Sequence, residues 1–198
     1  MANRNPVYEK IIEDIAGQDY SVVENLLDDT TLRGLKNRLL QNLKNKEMKI
    51  AGIGNRDNHL LALSVRSDKI HWIDRHSAHP FEQQFISQIN DLSAYLNKTC
   101  FTGISDYEFH YACFEKGTFY KRHLDRFKND NARKFSVITY LNEKWEKKHG
   151  GELILYTGNE GTIIPPEWGK TVIFRSHTIE HEVSPSHTRR LSVTGWLK

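Results

Sequence analysis

The chain has 198 residues, 38% of them apolar and 27% charged, with 28 basic against 25 acidic side chains and a formal net charge of +3. That size and apolar content suit one domain with a short N-terminal extension, and the near-balanced charge sets no requirement for a nucleic-acid or membrane partner. Two cysteines, Cys100 and Cys113, exclude a disulfide framework and fit a reducing compartment, so the expected location is the cytoplasm; the polar start MANRNPVYEK lacks the apolar core of a signal peptide, and no stretch approaches the roughly 20 apolar residues of a membrane span.

Three helices are predicted in the first half. The first opens at Asn5-Pro6, a capping residue followed by proline at the first helical position, and carries Tyr8, Ile11, Ile12 and Ile15 on one stripe. The second follows the cap cluster Asp28-Asp29-Thr30, with Leu32, Leu35, Leu39 and Leu43 at helical spacing. Next come the turn-like AGIGNRDN and the segment LLALSVRSDKIHWID, which reads as two short strands around Arg66-Ser67-Asp68. The third helix opens near Pro80 with Phe81, Phe85, Ile89, Leu92 and Leu96 on one face.

After Thr99 the chain reads as strands at 106–114, 119–124, 135–141, 152–156, 171–175 and 189–197, separated by turn chemistry such as His149-Gly150-Gly151. Many short strands at this spacing point to an antiparallel sandwich or barrel with the helices outside one sheet. The last strand sorts by parity: Arg190, Ser192, Thr194 and Trp196 share one face, Leu191, Val193, Gly195 and Leu197 the other. The polar set faces either solvent or a polar cavity inside the barrel.

His123-Leu-Asp125 places two ligand-type side chains on one face of extended chain. Candidates for a third ligand are His149, His177, His181 and His187. Two histidines and a carboxylate with open positions form the facial triad of non-haem iron(II) oxygenases. His181 is singled out because Arg190 follows it by nine residues and is itself followed by x-Ser; His177 stands as its rival. An arginine fork binds a carboxylate in two places and stays charged, as the distal end of 2-oxoglutarate requires. Arg190 is preferred to Arg189 because it shares a strand face with Ser192, Thr194 and Trp196. His110 reads as a satisfied barrel residue, His149 as part of a charged turn and His187 as a loop residue.

The pieces AGIG, VRSDKIHWID, YACF, GTFYKRHLD, ITYLNEKW, GGELILY, HEVSP and RRLSVTGW occur in one order from about Ala51 to the C-terminus. In that order they resemble the prolyl-hydroxylase branch of the iron/2-oxoglutarate dioxygenases, and especially the bacterial enzymes related to the animal oxygen-sensing prolyl hydroxylases. The resemblance does not extend to the first fifty residues. The resemblance implies an α+β, mainly β fold: a double-stranded β-helix (jelly-roll, cupin-like) at about 99–198, with N-terminal helices of a 1–50 extension packed on one sheet. It implies His123, Asp125 and His181 as iron ligands, Arg190 with Tyr140 and, more weakly, Ser192 for 2-oxoglutarate, and Trp196 beside the substrate. It also implies a substrate loop at roughly Gly52 to Arg66, tethered by an ion pair between Asp68 and Arg133.

The same resemblance implies Fe(II), 2-oxoglutarate and O2 as cofactor and co-substrates, with ascorbate as a supporting reductant. The expected reaction hydroxylates a prolyl residue of a protein, with elongation factor Tu as the favoured partner, while 2-oxoglutarate becomes succinate and CO2. The same chemistry on another residue or a free small molecule is the alternative, and a non-catalytic metal-binding barrel is the alternative of another class. RFKND and NARK are basic, but no aromatic-rich basic stripe accompanies them, which argues against a nucleic-acid substrate. The sequence departs from the family at Ser67 (glycine in the animal enzymes), at Phe114 (a tyrosine in the family, whose hydroxyl contact is lost) and in a slightly longer loop from Arg126 to Lys134.

Overall fold

A computed structural model describes residues 5–52, 64–125, 132–158 and 160–198. The helices start where local chemistry dictates. Helix α1 (Pro6–Gln18) is capped by the Asn5 side chain, which accepts from the Val7 and Tyr8 amides, and α2 (Asp29–Lys44) by Asp28, which accepts from the Thr31 amide at 2.8 Å. Helix α3 (Pro80–Cys100) opens on its proline and ends at Phe101 in the left-handed region.

The strands are β1 (Tyr20–Val23), β2 (Lys49–Ile50), β3 (Lys69–Trp72), β4 (Tyr107–Phe114), β5 (Tyr120–His123), β6 (Phe135–Tyr140), β7 (Leu153–Thr157), β8 (Glu160–Ile164), β9 (Thr171–Arg175), β10 (Glu180–Val183) and β11 (Arg190–Leu197). They form a seven-stranded sheet, β1-β9-β6-β11-β4-β3-β2, and a four-stranded sheet, β5-β10-β7-β8, with every pairing between these strands antiparallel. This is the double-stranded β-helix arrangement expected from the sequence.

Strand parity divides the large sheet between two cores. Phe109, Tyr111, Val137, Ile173, Leu191 and Val193 point outward and pack with Ile11, Leu35, Phe85 and Leu92 of the helices. Gly195 lies on that same face, where a Cβ would sit 2.1 Å from the Glu108 carbonyl oxygen and 2.4 Å from the Phe109 ring. The opposite parity faces the small sheet. Ile138, Tyr140, Val172 and Phe174 pack there against Leu153, Leu155 and Ile164. The polar residues of β11 therefore line the inside of the barrel, which settles the choice between solvent and cavity.

Some elements differ from expectation. Strands β1, β2, β8 and β10 are additional; each is five residues or fewer, too short for alternation to stand out. The segment read as two strands around Arg66-Ser67-Asp68 contributes one, β3, while Arg66 makes an isolated bridge to Tyr120. Its residues 60–63 lie outside the described residues. So do 53–63 of the expected substrate loop and 126–131 of the longer loop before β6.

Candidate active site

The inner face of the large sheet is a grid set by register. On β11, Arg190 lies opposite Phe114 of β4; Ser192 lies between Ala112 and Tyr140 of β6; Thr194 lies between His110 and Ile138; Trp196 lies between Glu108 and Ser136. The small sheet faces this grid with His181 of β10 paired directly to His123 of β5, and Asp125 follows two residues later. Two strands and the bend after β5 thus bring together side chains that are far apart in sequence.

Ligand atoms of His123, Asp125 and His181 lie within 4.8 Å of one another. Both histidine Nε2 atoms stand 3.5 Å from the Asp125 carboxylate, His123 against Oδ1 and His181 against Oδ2. The Nδ1 atoms face backbone carbonyls, Lys121 at 2.7 Å and Ile179 at 3.3 Å. A carbonyl only accepts, so Nδ1 carries the proton and Nε2 presents a lone pair. Two lone pairs and a carboxylate then converge with no donor between them, and His123 Nε2 is buried without a hydrogen bond. A shared cation is what this donor set fits. Burial, with His123 nearby, pushes His181 down to about 4, so it is neutral at pH 7. Burial opposes ionisation of Asp125, but the charge that the two imidazoles gain when protonated in the acid range, together with the Ser136 hydroxyl, outweighs it and holds the carboxyl well below its usual range.

The far end of the grid is cationic. Arg190 is 1% exposed and has no ion-pair partner among the described residues. Its guanidinium lies 4.9 Å from the ring centroids of both Tyr140 and Phe114. Arg190 Nε and the Tyr140 hydroxyl are both buried without hydrogen-bond partners, and burial lowers the arginine's proton affinity. Ser192 is fully buried beside them, its Oγ 3.1 Å from that of Thr194. A buried cation with a free phenol beside it is a receptor for a carboxylate. The ring of Phe114 replaces a hydroxyl contact with a cation–π contact. A roomier cavity, about 520 Å³, lies between α1, α3 and the start of β6, but it holds none of these groups.

The C-terminal residues 109–198 match the 2OG-Fe(II) oxygenase superfamily. A solved prolyl-4-hydroxylase from Pseudomonas putida superposes with a TM-score of 0.88 at 31% identity, covering 98% of this chain and 99% of that one. The chain belongs to the prolyl-hydroxylase branch of the 2OG-Fe(II) oxygenase superfamily. Human prolyl hydroxylase EGLN3 is 36% identical over 90 residues, 43% of this chain and 37% of that protein; human Egl nine homolog 1 is 28% identical over 144 residues, 67% of this chain and 33% of that protein. The chain therefore matches only about a third of the length of these relatives. A prolyl hydroxylase from Trichoplax adhaerens, solved with a hypoxia-inducible-factor peptide fragment, shares the fold (TM-score 0.85, 22% identity, 96% and 88% covered).

Oxygenases of this superfamily use Fe(II), 2-oxoglutarate and O2, and the His-Asp-His trio suits that metal. Sequence reasoning missed what holds the trio. Ser136 donates to Asp125 Oδ2 at 2.7 Å and is paired with Ser176 at 2.9 Å; Arg133 Nη1 donates to the Asp125 carbonyl at 3.1 Å. Inside FSVITY, Ser136 reads as an ordinary strand residue until its register opposite Trp196 is known. Loss of such an outer partner typically costs about 10–100-fold in metal affinity. Ser136→Ala is expected to weaken Mn(II) binding by that factor, measured by chelator competition, with the fold unchanged by circular dichroism.

The expected ion pair between Asp68 and Arg133 is not formed. Asp68 is held by both arms of Arg66 (Nε 2.8 Å, Nη2 2.6 Å), and Arg66 in turn lies 4.4 Å over the Tyr120 ring. Arg133 pairs with Glu108 at 2.8 Å and lies 3.5 Å over the Trp196 ring. Each charge is met by a residue fixed closer by the strands: Arg66 two positions before Asp68, and Glu108 next to Trp196 across the sheet. His177 is exposed and outside the ligand group, His187 is exposed, and His149 ends a 3-10 turn at Lys147–His149.

His110 also corrects the reading as a satisfied residue: it is 3% exposed and its Nδ1 has no partner. Burial, aided by Arg66, pushes it down to about 4 from about 6.5. The unfolded chain therefore binds the extra proton between these values. This contribution to stability is full above about pH 6.5 and is lost as pH falls toward 4, amounting to about 3 kcal/mol. His110→Met is expected to flatten the stability profile across that window in urea titrations, leaving the similar contribution of His181.

Proposed function

We propose that this chain is an Fe(II)- and 2-oxoglutarate-dependent dioxygenase that hydroxylates a prolyl residue of a protein. In this reading His123, Asp125 and His181 hold the iron, and Arg190 takes the distal carboxylate of 2-oxoglutarate with Tyr140 and Ser192. The observation that carries it is the pairing of a buried, uncompensated Arg190 with a converging His-Asp-His trio in one barrel. The bound iron supplies the redox chemistry that couples decarboxylation of 2-oxoglutarate to insertion of oxygen into a C–H bond. The chain's work is positioning. Arg190 and Tyr140 fix one end of the co-substrate, the apolar residues Ile138, Leu153 and Val183 exclude water, and Trp196 borders the mouth on the substrate side. Asp68, neutralised by Arg66, lines the same cleft, and Arg133, paired with Glu108, stacks on the Trp196 ring.

A protein substrate is supported by the relatives, one of which was solved with a hypoxia-inducible-factor peptide fragment; elongation factor Tu rests on the sequence resemblance alone and is the first protein to test. A reducing, cytoplasmic setting agrees with two free thiols, Cys113 being buried with its thiol pushed up to about 12. Among the described residues no helix is long and apolar enough to cross a membrane.

The test is incubation of bacterial lysate with the protein, Fe(II) and 2-oxoglutarate, read by peptide mass spectrometry and succinate release. One added oxygen on a specific proline, in elongation factor Tu or elsewhere, is the expected outcome. The same mass on a different residue type retires the prolyl assignment but keeps the oxygenase, and no succinate under any condition retires both in favour of a non-catalytic barrel.

A further inference from the structure

Among the described residues, five polar side-chain atoms on the walls of this barrel are buried without hydrogen-bond partners: His123 Nε2, Tyr140 Oη, Arg190 Nε, Trp196 Nε1 and His110 Nδ1. Buried polar groups are nearly always paired, so a cluster of orphans marks where a ligand completes the network. The metal accounts for the first, and the co-substrate carboxylate for the next two. Trp196 and His110 are left over. Their positions explain why. In the β11 grid, Arg190, Ser192 and Tyr140 occupy the co-substrate end, Ser136 marks the level of the Asp125 carboxylate beside Trp196, and His110 stands at the row between, opposite Thr194.

The charged groups around His110 leave it free. Arg66 is committed to Asp68, and Arg133 pairs with Glu108, so the nearby charges are matched in pairs. The ring is wedged between Trp196, at 5.6 Å, and the edge of Trp72, at 4.9 Å. Trp72 is 46% exposed, so this aromatic row runs from the cavity out to solvent. Trp196 Nε1 can only donate. A prolyl residue within a peptide has no amide hydrogen and offers only carbonyl acceptors. The wall therefore needs donors, and a neutral imidazole can supply one.

We propose that His110 is a specificity-determining substrate contact, donating from Nδ1 to a backbone carbonyl of the peptide that carries the target proline. This inference rests on the prolyl reading above. It makes the middle row of β4 and β11, rather than the iron or co-substrate residues, the place where the peptide backbone is read. Nothing in it changes how 2-oxoglutarate is held.

The experiment compares wild type with His110→Met, His110→Asn and His110→Gln, using a synthetic peptide spanning the hydroxylated proline recovered from lysate. Methionine keeps the bulk and removes the nitrogen. Asparagine places an amide N–H where Nδ1 stands, and glutamine places one where Nε2 stands. His110→Met is expected to raise KM for the peptide about tenfold, the cost of one lost hydrogen bond that leaves a buried carbonyl unpaired. KM for 2-oxoglutarate should stay at the wild-type value, since Arg190, Tyr140 and Ser192 are untouched. Asparagine is expected to restore most of the peptide KM, and glutamine is not. An unchanged peptide KM in His110→Met overturns the proposal, as does His110→Asn being as impaired as His110→Met, which is the signature of packing alone. If the wild type releases succinate but hydroxylates no proline, the prolyl reading fails and the carbonyl contact falls with it; if the wild type hydroxylates the peptide and the variants match it, only the His110 proposal falls.

Discussion

Arg190→Met is expected to melt at a higher temperature than the wild type in the absence of co-substrate, and to lose the response to 2-oxoglutarate entirely. The two effects have one cause. Arg190 is a nearly fully buried cation with no carboxylate partner among the described residues, held between two aromatic rings. Burying an uncompensated charge costs several kcal/mol after relaxation, so an apolar side chain of similar length should stabilise the empty protein by about 1 kcal/mol or more. The same feature makes the site a strong receptor, because its desolvation has already been met in folding. Removing one member of a buried, hydrogen-bonded charge pair typically costs about 2–5 kcal/mol, which is about 30- to several-thousand-fold in affinity. KM for 2-oxoglutarate should rise by that factor, and thermal stabilisation by added 2-oxoglutarate should vanish. Arg190→Lys keeps the charge but loses the planar fork, and should fall between the two. A methionine variant with wild-type KM would place the co-substrate anchor elsewhere.

Much of this arrangement was legible in the sequence where signals were local. Asn5-Pro6 and Asp28 announce helix starts because capping is settled within four residues. The parity of β11 was legible because eight residues of alternation suffice to separate Leu191 and Val193, which pack on the helices, from Arg190 and Ser192 inside the barrel. The grouping of His123, Asp125 and His181 was legible from spacing to Arg190 and from the order of family motifs. Strand β10, which carries His181, was not, because EHEV offers only two inward residues and two charged ones.

What stayed hidden was non-local. The expected Asp68–Arg133 pair failed because sequence order could not show that Arg66 reaches Asp68 two positions on, while Glu108, beside Trp196 across the sheet, takes Arg133. Ser136 and His110 gain meaning only from register, once Trp196 and Thr194 are known to lie opposite them. Both are polar, buried residues in largely apolar strands. At such positions local pattern and global fold disagree, and function is the usual reason for the disagreement.

Asp125→Ala is the decisive variant for the metal. Asp125 brings a carboxylate to 3.5 Å from the Nε2 atom of each histidine, and the Ser136 hydroxyl donates to it. Removing the carboxylate also removes its bond from Ser136, so the metal-free melting temperature of each variant is its own baseline. The metal-bound state should change greatly. With free Mn(II) at about 100 times the wild-type Kd, binding stabilises the fold by about 2.7 kcal/mol. Ser136→Ala, with Kd raised about 10–100-fold, should retain about 0.4–1.4 kcal/mol of this under the same conditions. Asp125→Ala removes a ligand rather than the group that orients it, and should retain none. Thermal melts with and without Mn(II) read the whole series without needing substrate, co-substrate or turnover. A graded loss from wild type through Ser136→Ala to Asp125→Ala assigns the carboxylate to the ion and the hydroxyl to the carboxylate. Equal Mn(II) stabilisation in all three proteins would mean that the cation binds elsewhere, and that the convergence of His123, Asp125 and His181 serves the fold alone.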